Sequence, residues 1–177
     1  AARRGLSVAR DGVIAPGATI GILGGGQLGR MLALAAARLG YRCHIFTPER
    51  EGPASQVAYA TTIAEYDDKR ALARFADAVD VVTFEFENIP HASLALLEAR
   101  VPVRPGVKAL EISQDRLIEK DFVKRLGIAT ADYADVSSVE TLRAAMARIG
   151  LPAVIKTRRF GYDGKGQAII REGDDFN

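Results

Sequence analysis

The segment Thr19-Ile-Gly-Ile-Leu-Gly-Gly-Gly-Gln-Leu-Gly29 decides the fold class of this chain. Its first five residues form a short apolar run that ends in glycines, which is the pattern of a buried parallel strand. Gly24, Gly26 and Gly29 then have the spacing G-x-G-x-x-G, which lets a backbone turn tightly into a helix. The segment therefore predicts a strand, a glycine turn and a helix start of an open α/β sheet.

The residues that follow extend this pattern. Leu28, Met31, Leu32, Ala35 and Leu39 recur at helical spacing and predict one apolar helical face, which Gly40 ends. The alternation of strands and helices after it predicts a doubly wound parallel sheet with right-handed crossovers over residues 18–105. The further elements predicted within it are a strand at Arg42–Phe46, a loop at Thr47–Ser55, a helix at Lys69–Ala78 and a strand at Val79–Phe86.

The second half of the chain carries another α/β pattern. Residues 106–130 are predicted to connect the two parts, with a helix over Asp115–Leu126 that Gly127 closes. Residues 131–177 are predicted to start a second domain, whose helix begins at a capping box of Ser137 and Glu140. Its apolar stripe is Val139, Leu142, Met146 and Ile149, and its strands are Ala153–Thr157 and Gln167–Ile170. One helix and a few strands form a poor core, so this domain is interpreted as incomplete.

Composition excludes several classes of protein. The 177 residues include 24 basic and 22 acidic side chains, so the net charge of +2 supports neither a nucleic-acid nor a membrane-surface partner. No uninterrupted apolar run reaches the ~18 residues of a membrane span. Cys43 is the one cysteine and has no partner for an internal disulfide, which fits a reducing, cytoplasmic setting. Residues 1–17 are expected to be a disordered leader.

The glycine turn alone leaves its ligand open. Glycine allows close approach of a ligand, and a helix start offers unpaired N–H groups with a partial positive charge. A dinucleotide site would also require an acidic residue at the end of the second strand. That strand runs Ile45-Phe-Thr-Pro-Glu49, with threonine at its tip. A ligand site and a tight turn without a ligand therefore both remain possible from this segment.

Acidic residues alternate with aromatic residues in Thr83-Phe-Glu-Phe-Glu-Asn88. On an extended strand Glu85 and Glu87 point to one face, and both faces of an internal parallel strand are usually apolar. Buried carboxylates are costly unless they are used, and one at this edge of the sheet could hold ribose hydroxyls or an amino group. The alternative is that the strand ends by Phe84 and both glutamates are solvated.

The segment from Lys156 to Gln167 is basic and rich in glycine. Lys156 ends an apolar strand, and three glycines and three further cations follow it. Such a hairpin loop can fold over a polyphosphate, because glycine exposes backbone N–H groups and the cations attract phosphate. The segment lacks the G-x-x-x-x-G-K-[ST] order of a Walker loop. The alternative is a solvated basic hairpin.

Four blocks in this order resemble a known family. They are Gly24-Gly-Gly-Gln-Leu-Gly-Arg-Met-Leu32, Thr83–Asn88, Gln114-Asp-Arg-Leu-Ile-Glu-Lys120 and Lys156 through Gly161-Tyr-Asp-Gly-Lys-Gly-Gln167. Together they resemble the 5-(carboxyamino)imidazole ribonucleotide synthases, which are ATP-grasp ligases of purine biosynthesis. The resemblance covers residues 18 to about 170, and the G-Y-D-G-[KR]-G-Q block is its most specific part. It implies a pre-ATP-grasp, Rossmann-like domain followed by the start of an ATP-grasp domain.

The resemblance also implies a reaction and a site. ATP would phosphorylate bicarbonate to carboxyphosphate, and the amine of 5-aminoimidazole ribonucleotide would capture the activated carboxyl. Gln27, Leu28 and Glu85 would cradle the ribonucleotide, with Tyr162 and Asp163 reaching it. The ATP-binding residues implied are Arg116, Lys156, Gly161, Tyr162, Asp163, Gly164, Lys165, Gly166 and Gln167.

The family continues well beyond the position of Asn177, into a portion that supplies the Mg²⁺ ligands. The resemblance therefore implies ATP and Mg²⁺ as cofactors, a homodimeric full-length protein and no metal ligand in this segment. It also implies that this segment alone does not catalyse the reaction.

Three other functions remain open from the sequence. The formate-dependent glycinamide ribonucleotide transformylases share the architecture, but they usually carry glutamate where Gln27 stands, and Tyr162-Asp163 also favours the synthases. An NAD-dependent dehydrogenase would explain the glycine turn but not the segment from Lys156 to Gln167. A non-catalytic nucleotide-binding module is the third possibility for a segment of this length.

Overall fold

The computed structural model describes residues 13–161 and 164–174. The chain divides into two compact units, Ala1–Leu110 (unit 1) and Glu111–Asn177 (unit 2).

Unit 1 is built on a four-stranded parallel sheet. Its strands are β1 (Thr19–Leu23), β2 (Arg42–Thr47), β3 (Ala60–Ile63) and β4 (Val81–Phe84), in the order β3-β2-β1-β4. Because β1 lies between β2 and β4, Leu23 is paired with Phe46 on one side and with Phe84 on the other. The carboxyl ends of these three strands therefore meet at one edge of the sheet.

Helices and packed loops cover both faces of this sheet. The helices are α1 (Gln27–Arg38), α2 (Lys69–Asp77), α3 (His91–Glu98) and α4 (Val107–Ser113). Leu23 and Phe46 pack with α2, α3 and α4 in one core cluster, and Ile22 and Ile45 pack with Ala33 of α1 in a second. Neighbouring residues of a strand point to opposite faces, so both faces are buried. The predicted doubly wound α/β fold is confirmed.

The apolar stripe on α1 does not form the core contact of that helix. Leu28, Met31 and Leu39 are each more than half exposed, and the helix instead buries Gly29 and Ala33. Small side chains let the helix approach the sheet closely, and a Cβ on Gly29 would lie 3.0 Å from the Gly24 carbonyl oxygen. Gly40, with a φ of 83°, follows the end of the helix as predicted.

Several elements of unit 1 differ from the prediction. β4 ends at Phe84 rather than Phe86, and α2 is confirmed within one residue. β3 and α3 were not predicted, whereas α4 lies within residues 106–130, which are predicted to contain connecting helices. β3 is an edge strand without a fully buried residue, so its sequence lacks the apolar run of a central strand. β2 extends to Thr47, one residue further than predicted, and residues 48–55 of the predicted loop contain no strand or helix.

Unit 2 contains two helices and a hairpin. Helix α5 spans Arg116–Arg125 and helix α6 spans Val139–Ile149, while β5 (Ala153–Lys156) pairs antiparallel with β6 (Gln167–Ile170). The predicted helices and hairpin are confirmed. The capping box lies elsewhere: Ser138 caps α6 and Thr141 completes the box, so the assignment to Ser137 and Glu140 is wrong by one residue.

The core of unit 2 is small. Ala145 and Ile170 are its buried apolar residues in the described part of the chain, whereas Val154, Ile155 and Ile169 remain more than a third exposed. Every helix in residues 13–161 and 164–174 is too short or too polar to cross a membrane.

Phe75 is the most instructive core position to test. It packs edge-on to Phe46 at 5.2 Å and to His44 at 4.9 Å, and a Cβ on Gly21 would lie 2.7 Å from its ring. We expect Phe75→Ala to lower the free energy of unfolding of unit 1 by about 3–5 kcal/mol, measured by urea denaturation. Met31→Ala, on the exposed stripe, should change it by less than about 0.5 kcal/mol. A comparable loss in both variants would contradict the packing described here.

Candidate functional site

Glu85 lies directly against the glycine turn that follows β1. Its Oε1 accepts the backbone N–H of Gly26 at 3.0 Å, and the backbone N–H of Glu85 donates to the carbonyl oxygen of Leu23 at 3.0 Å. A Cβ on Gly26 would lie 3.2 Å from Oε1, and one on Gly24, whose φ is 117°, would overlap the Glu85 side chain. The glycines are therefore required for the carboxylate to reach the helix start.

The loop after β2 supports the turn from its other side. The N–H of Ala54 donates to the Gly25 carbonyl oxygen at 3.0 Å, and a Cβ on Gly52 would lie 2.6 Å from that oxygen. A Cβ on Gly25 would lie 2.6 Å from Oγ1 of Thr47, which also accepts the N–H of Glu49 at 3.2 Å. The close backbone approach explains why both segments carry glycine.

Acidic groups surround the aromatic side of this edge. Burial raises the pKa of Tyr66 to about 12; a hydrogen bond with Thr47 opposes the increase, and the carboxylates of Glu85, Glu49 and Glu65 add to it. The Tyr66 ring also stacks on Phe86, at 5.7 Å between centroids. The negative charge of these carboxylates disfavours a further anion on this side of the turn.

The start of α1 supplies the opposite chemistry. Gln27 and Leu28 are exposed, and the geometry of an α-helix gives the N–H groups of its first turn no intrahelical acceptor. Gly26 is the N-cap and provides no side chain to satisfy them. The helix start therefore offers N–H donors for an anion, and the Glu85 carboxylate, an acceptor for hydroxyl or amino groups, lies beside it, 3.0 Å from the Gly26 nitrogen.

The two glutamates of the carboxylate strand differ. The strand ends at Phe84, as the alternative expects, and Glu87 is exposed. Glu85 is half-buried and bound to the glycine turn, so the alternative is wrong for Glu85.

The hairpin of unit 2 shapes the basic loop. Lys156 pairs with Gln167 at the end of the ladder, and the N–H of Thr157 donates to the Gly166 carbonyl oxygen at 2.7 Å. A Cβ on Gly166, whose φ is 69°, would lie 2.5 Å from Oγ1 of Thr157, and one on Gly161 would lie 2.9 Å from it. These glycines therefore let the loop close tightly on Thr157.

The cations near this loop fall into two groups. Arg158 forms an ion pair with Asp115 at 2.8 Å, and Arg159 donates to Oε1 of Gln114 at 3.2 Å. Within the described residues, by contrast, the exposed side chains of Lys156 and Arg116 make no hydrogen bond or ion pair. Arg158 and Arg159, which are not among the ATP-binding residues that the resemblance implies, are therefore engaged within unit 2.

The predicted site residues of the basic loop are only partly described by the structure. Tyr162 and Asp163 lie outside the described residues. Gly164, Lys165 and Gln167 are exposed on the hairpin. In residues 13–161 and 164–174 no group of three or more His, Cys, Asp or Glu side chains could hold a metal ion.

A cavity of about 390 Å³ lies elsewhere in unit 2, and neither Lys156 nor Arg116 lines it. Its walls include Lys124, Tyr133 and Arg148, but these side chains are occupied with one another and with their surroundings. Tyr133 donates to Asp121 at 2.6 Å, Arg148 donates to the Tyr133 carbonyl oxygen at 2.9 Å, and Lys124 lies over the Tyr133 ring. Residues of both α5 and α6 line the cavity, and the polar side chains of Tyr133 and Arg148 already have partners within the protein.

Sequence reasoning missed several residues that support these sites. Thr47, Gly52 and Tyr66 support or border the glycine turn, and Asp115 and Gln114 engage the basic loop. Thr47 had a signal, because it occupies the tip of the second strand where an acidic residue was sought. Asp115 had one too, since it precedes a helix as a capping residue does. Their contacts bring together distant segments, which no local pattern encodes.

Comparison with known proteins identifies the class. Residues 17–114 match the family model of the ribonucleotide synthetase preATP-grasp domain, and residues 121–177 match that of the ATP-grasp domain. The chain therefore belongs to the ATP-grasp enzymes that carry a ribonucleotide synthetase preATP-grasp domain.

Particular relatives narrow this class. The chain is 51% identical over 160 residues to the N5-carboxyaminoimidazole ribonucleotide synthase of Brucella melitensis, covering 90% of this chain and 44% of the relative. It is 50% identical over 164 residues to the bifunctional purine synthesis protein purC/E of Dictyostelium discoideum, covering 93% of this chain and 16% of that relative. The chain thus spans less than half the length of these curated relatives.

Solved structures similar to this chain belong to the same kind of enzyme as the curated relatives. An N5-carboxyaminoimidazole ribonucleotide synthetase in complex with ADP superposes with a TM-score of 0.85 at 43% identity, over 91% of this chain and 43% of that one. The enzyme of Aspergillus clavatus in complex with ADP and 5-aminoimidazole ribonucleotide superposes with a TM-score of 0.74 at 25% identity, over 87% of this chain and 40% of that one.

Gly24→Ala tests the contact between Glu85 and the turn. The change forces an unfavourable φ and overlaps Glu85, so we expect unit 1 to lose about 3 kcal/mol in its free energy of unfolding. Gly17→Ala is the matched control, because Gly17 has a φ of 93° but no atom within 4 Å of an added Cβ; it should cost about 1 kcal/mol. Adding Glu85→Ala should recover part of the Gly24→Ala loss. Equal losses for both glycines would rule out the overlap.

Proposed function

We propose that the full-length protein containing this chain carboxylates 5-aminoimidazole ribonucleotide, using ATP and bicarbonate. The products are 5-(carboxyamino)imidazole ribonucleotide, ADP and phosphate, and the step belongs to purine biosynthesis. The observation that carries the proposal is that one chain combines the Glu85-bound glycine turn of unit 1 with the cationic hairpin of unit 2. The names of the relatives agree, and a solved relative holds ADP and the aminoimidazole ribonucleotide together.

In this proposal unit 1 binds the ribonucleotide through Gln27, Leu28 and Glu85. The N–H groups at the start of α1 suit a 5′-phosphate, because a helix N-terminus favours an anion. The Glu85 carboxylate only accepts hydrogen bonds when ionised, so it suits ribose hydroxyls. The absence of an acidic residue at the tip of β2 is consistent with this ligand and disfavours a dinucleotide.

Unit 2 binds ATP in the same proposal. Lys156 and Arg116 contact the nucleotide, with Lys156 on its phosphates, and residues 161–167 close over the triphosphate. Lys156 and Arg116 fit this role because their exposed side chains make no hydrogen bond or ion pair in the described part of the chain, so their charge is available to a ligand. Tyr162 and Asp163 are assigned to the same loop and to the substrate.

The chemistry follows from these ligands. An oxygen of bicarbonate attacks the γ-phosphorus of ATP, and ADP leaves, which gives carboxyphosphate. The amine of the aminoimidazole ribonucleotide then attacks the carboxyl carbon, loses a proton and expels phosphate. Cations at the triphosphate stabilise the charge that develops on the transferred group and on ADP.

Mg²⁺ is the expected cofactor for this step, but the described residues do not provide a set of ligands for it. No step is therefore assigned to the metal through residues of this chain. The proposal further includes a homodimeric full-length protein and a cytoplasmic location.

The substrate is the first test. We expect full-length protein with bicarbonate to release ADP when 5-aminoimidazole ribonucleotide is added, and to do so at least about tenfold more slowly with glycinamide ribonucleotide and formate. Coupled assay of ADP measures both rates. Activity with glycinamide ribonucleotide alone would replace this proposal with the transformylase, and NADH binding without ATP binding would replace it with the dehydrogenase.

Lys156 is the second test. Lys156→Ala in the full-length protein should weaken ATP binding by about tenfold, measured by calorimetry, because it removes an unpaired cation from the phosphate site. The melting temperature should stay within about 1–2 °C, since the side chain is exposed. Arg143→Ala removes a cation of the same unit from α6 and should leave ATP affinity unchanged. Equal affinity of the Lys156 variant and wild type would remove Lys156 from the ATP site.

A further inference from the structure

Asp115 connects the start of α5 with the basic loop. Its Oδ1 accepts the backbone N–H groups of Leu117 at 2.9 Å and Ile118 at 3.3 Å, so it caps the helix. Both carboxylate oxygens also bind Arg158: Nε lies 3.2 Å from Oδ1 and 3.1 Å from Oδ2, and Nη2 lies 2.8 Å from Oδ2. This paired geometry fixes the guanidinium plane as well as its position.

The backbone extends the same contact. The N–H of Arg116 donates to the Arg158 carbonyl oxygen at 3.0 Å, and Arg159 donates to Gln114 at 3.2 Å. Residues 114–116 are thus bound to residues 158–159 at three successive points. The anchored segments hold both unpaired cations: Arg116 follows Asp115 directly, and Lys156 precedes Arg158 by two residues.

The charge state of Asp115 suits this role. Partial burial raises the pKa of this carboxyl, but hydrogen bonds from Arg158 and from the N–H groups of Ile118 and Leu117 outweigh burial and lower it overall. The pKa of Arg158 is raised, chiefly by its hydrogen bonds with Asp115. Both groups are therefore charged at neutral pH, and the side chain of Asp115 is only 14% exposed against 49% for Arg158.

We propose that Asp115 is a positioning residue that holds Arg116 and Lys156 in register for ATP by binding Arg158, and that Arg158 is not itself a phosphate ligand. This inference rests on the proposed assignment of ATP to unit 2. It gives the loop cations separate roles: Arg158 anchors the base of the loop, while Lys156 and Arg116 face the nucleotide.

The proposal is testable because simple electrostatics predicts the opposite change in ATP affinity when the charge of Asp115 is removed. Asp115 places a negative charge beside a site for a polyanion, so removing that charge alone should tighten ATP binding. Loss of positioning should weaken it, because ATP binding must then order the two cations.

The test is Asp115→Asn in the full-length protein, with ATP binding measured by calorimetry. Asparagine caps a helix about as well as aspartate, so α5 keeps its N-cap while the ion pair is lost. We expect the Kd for ATP to rise about five- to tenfold, and the Kd for the aminoimidazole ribonucleotide to stay within about twofold. Asp135→Asn is the matched control: it removes a carboxylate 3.7 Å from the same guanidinium and should change the Kd for ATP by less than about twofold.

Two further variants separate positioning from direct binding. Arg158→Lys keeps the charge but loses the paired geometry with Asp115, so positioning predicts weaker ATP binding. Asp115→Asn combined with Arg158→Gln should be no weaker than Asp115→Asn alone, because the two residues act as one unit.

Unchanged or tighter ATP binding by Asp115→Asn, full affinity in Arg158→Lys, or additive losses in the double variant would each overturn the inference. Failure of the wild-type protein to bind ATP would instead overturn the proposed function.

Discussion

The hydrogen bond between Glu85 and the Gly26 N–H depends on the parallel pairing of β1 with β4, and the site of unit 1 depends on that hydrogen bond. Adjacent parallel strands end at the same edge of a sheet, so a residue just after β4 meets the turn just after β1. A carboxylate at this position requires glycines in the turn, because any larger residue would overlap it. Gln27 and Leu28 then lie exposed beside it, at the start of α1. The glycines, the acidic residue and the helix start therefore depend on one another, and none can change without disturbing the other two.

Unit 2 solves a similar problem with charge. Its core is small, and the exposed cations Lys156 and Arg116 lie on a hairpin and at a helix start, so packing alone does little to hold them. Asp115 meets both needs, because one carboxylate can cap a helix and bind a guanidinium at the same time. The two units thus use the same kind of device, a carboxylate bound to backbone N–H groups at the start of a helix.

The elements with strong local signals were predicted well. β1, α1, α5 and the hairpin of β5 with β6 have clear periodicity or turn residues. β3 and α3 were missed because neither has a marked pattern: β3 is a half-buried edge, and α3 has only eight residues. The capping residue of α6 was misplaced by one position because Ser137 and Ser138 are adjacent and equally suitable. Oγ1 of Thr141 accepts the backbone N–H groups of both serines. Ser138 is distinguished because its Oγ accepts the backbone N–H of Thr141.

Sequence by itself determined the fold class, the elements with strong local signals and the candidate residues Gln27, Glu85 and Lys156, since glycine spacing and apolar periodicity are local properties. Tertiary structure decided which of them act together. It showed that Glu85 rather than Glu87 binds the turn, that α1 packs through Gly29 and Ala33, and that Arg158 is held by Asp115. These outcomes depend on contacts between residues far apart in the chain, whose distances are set by strand pairing and packing and are not encoded in any local pattern.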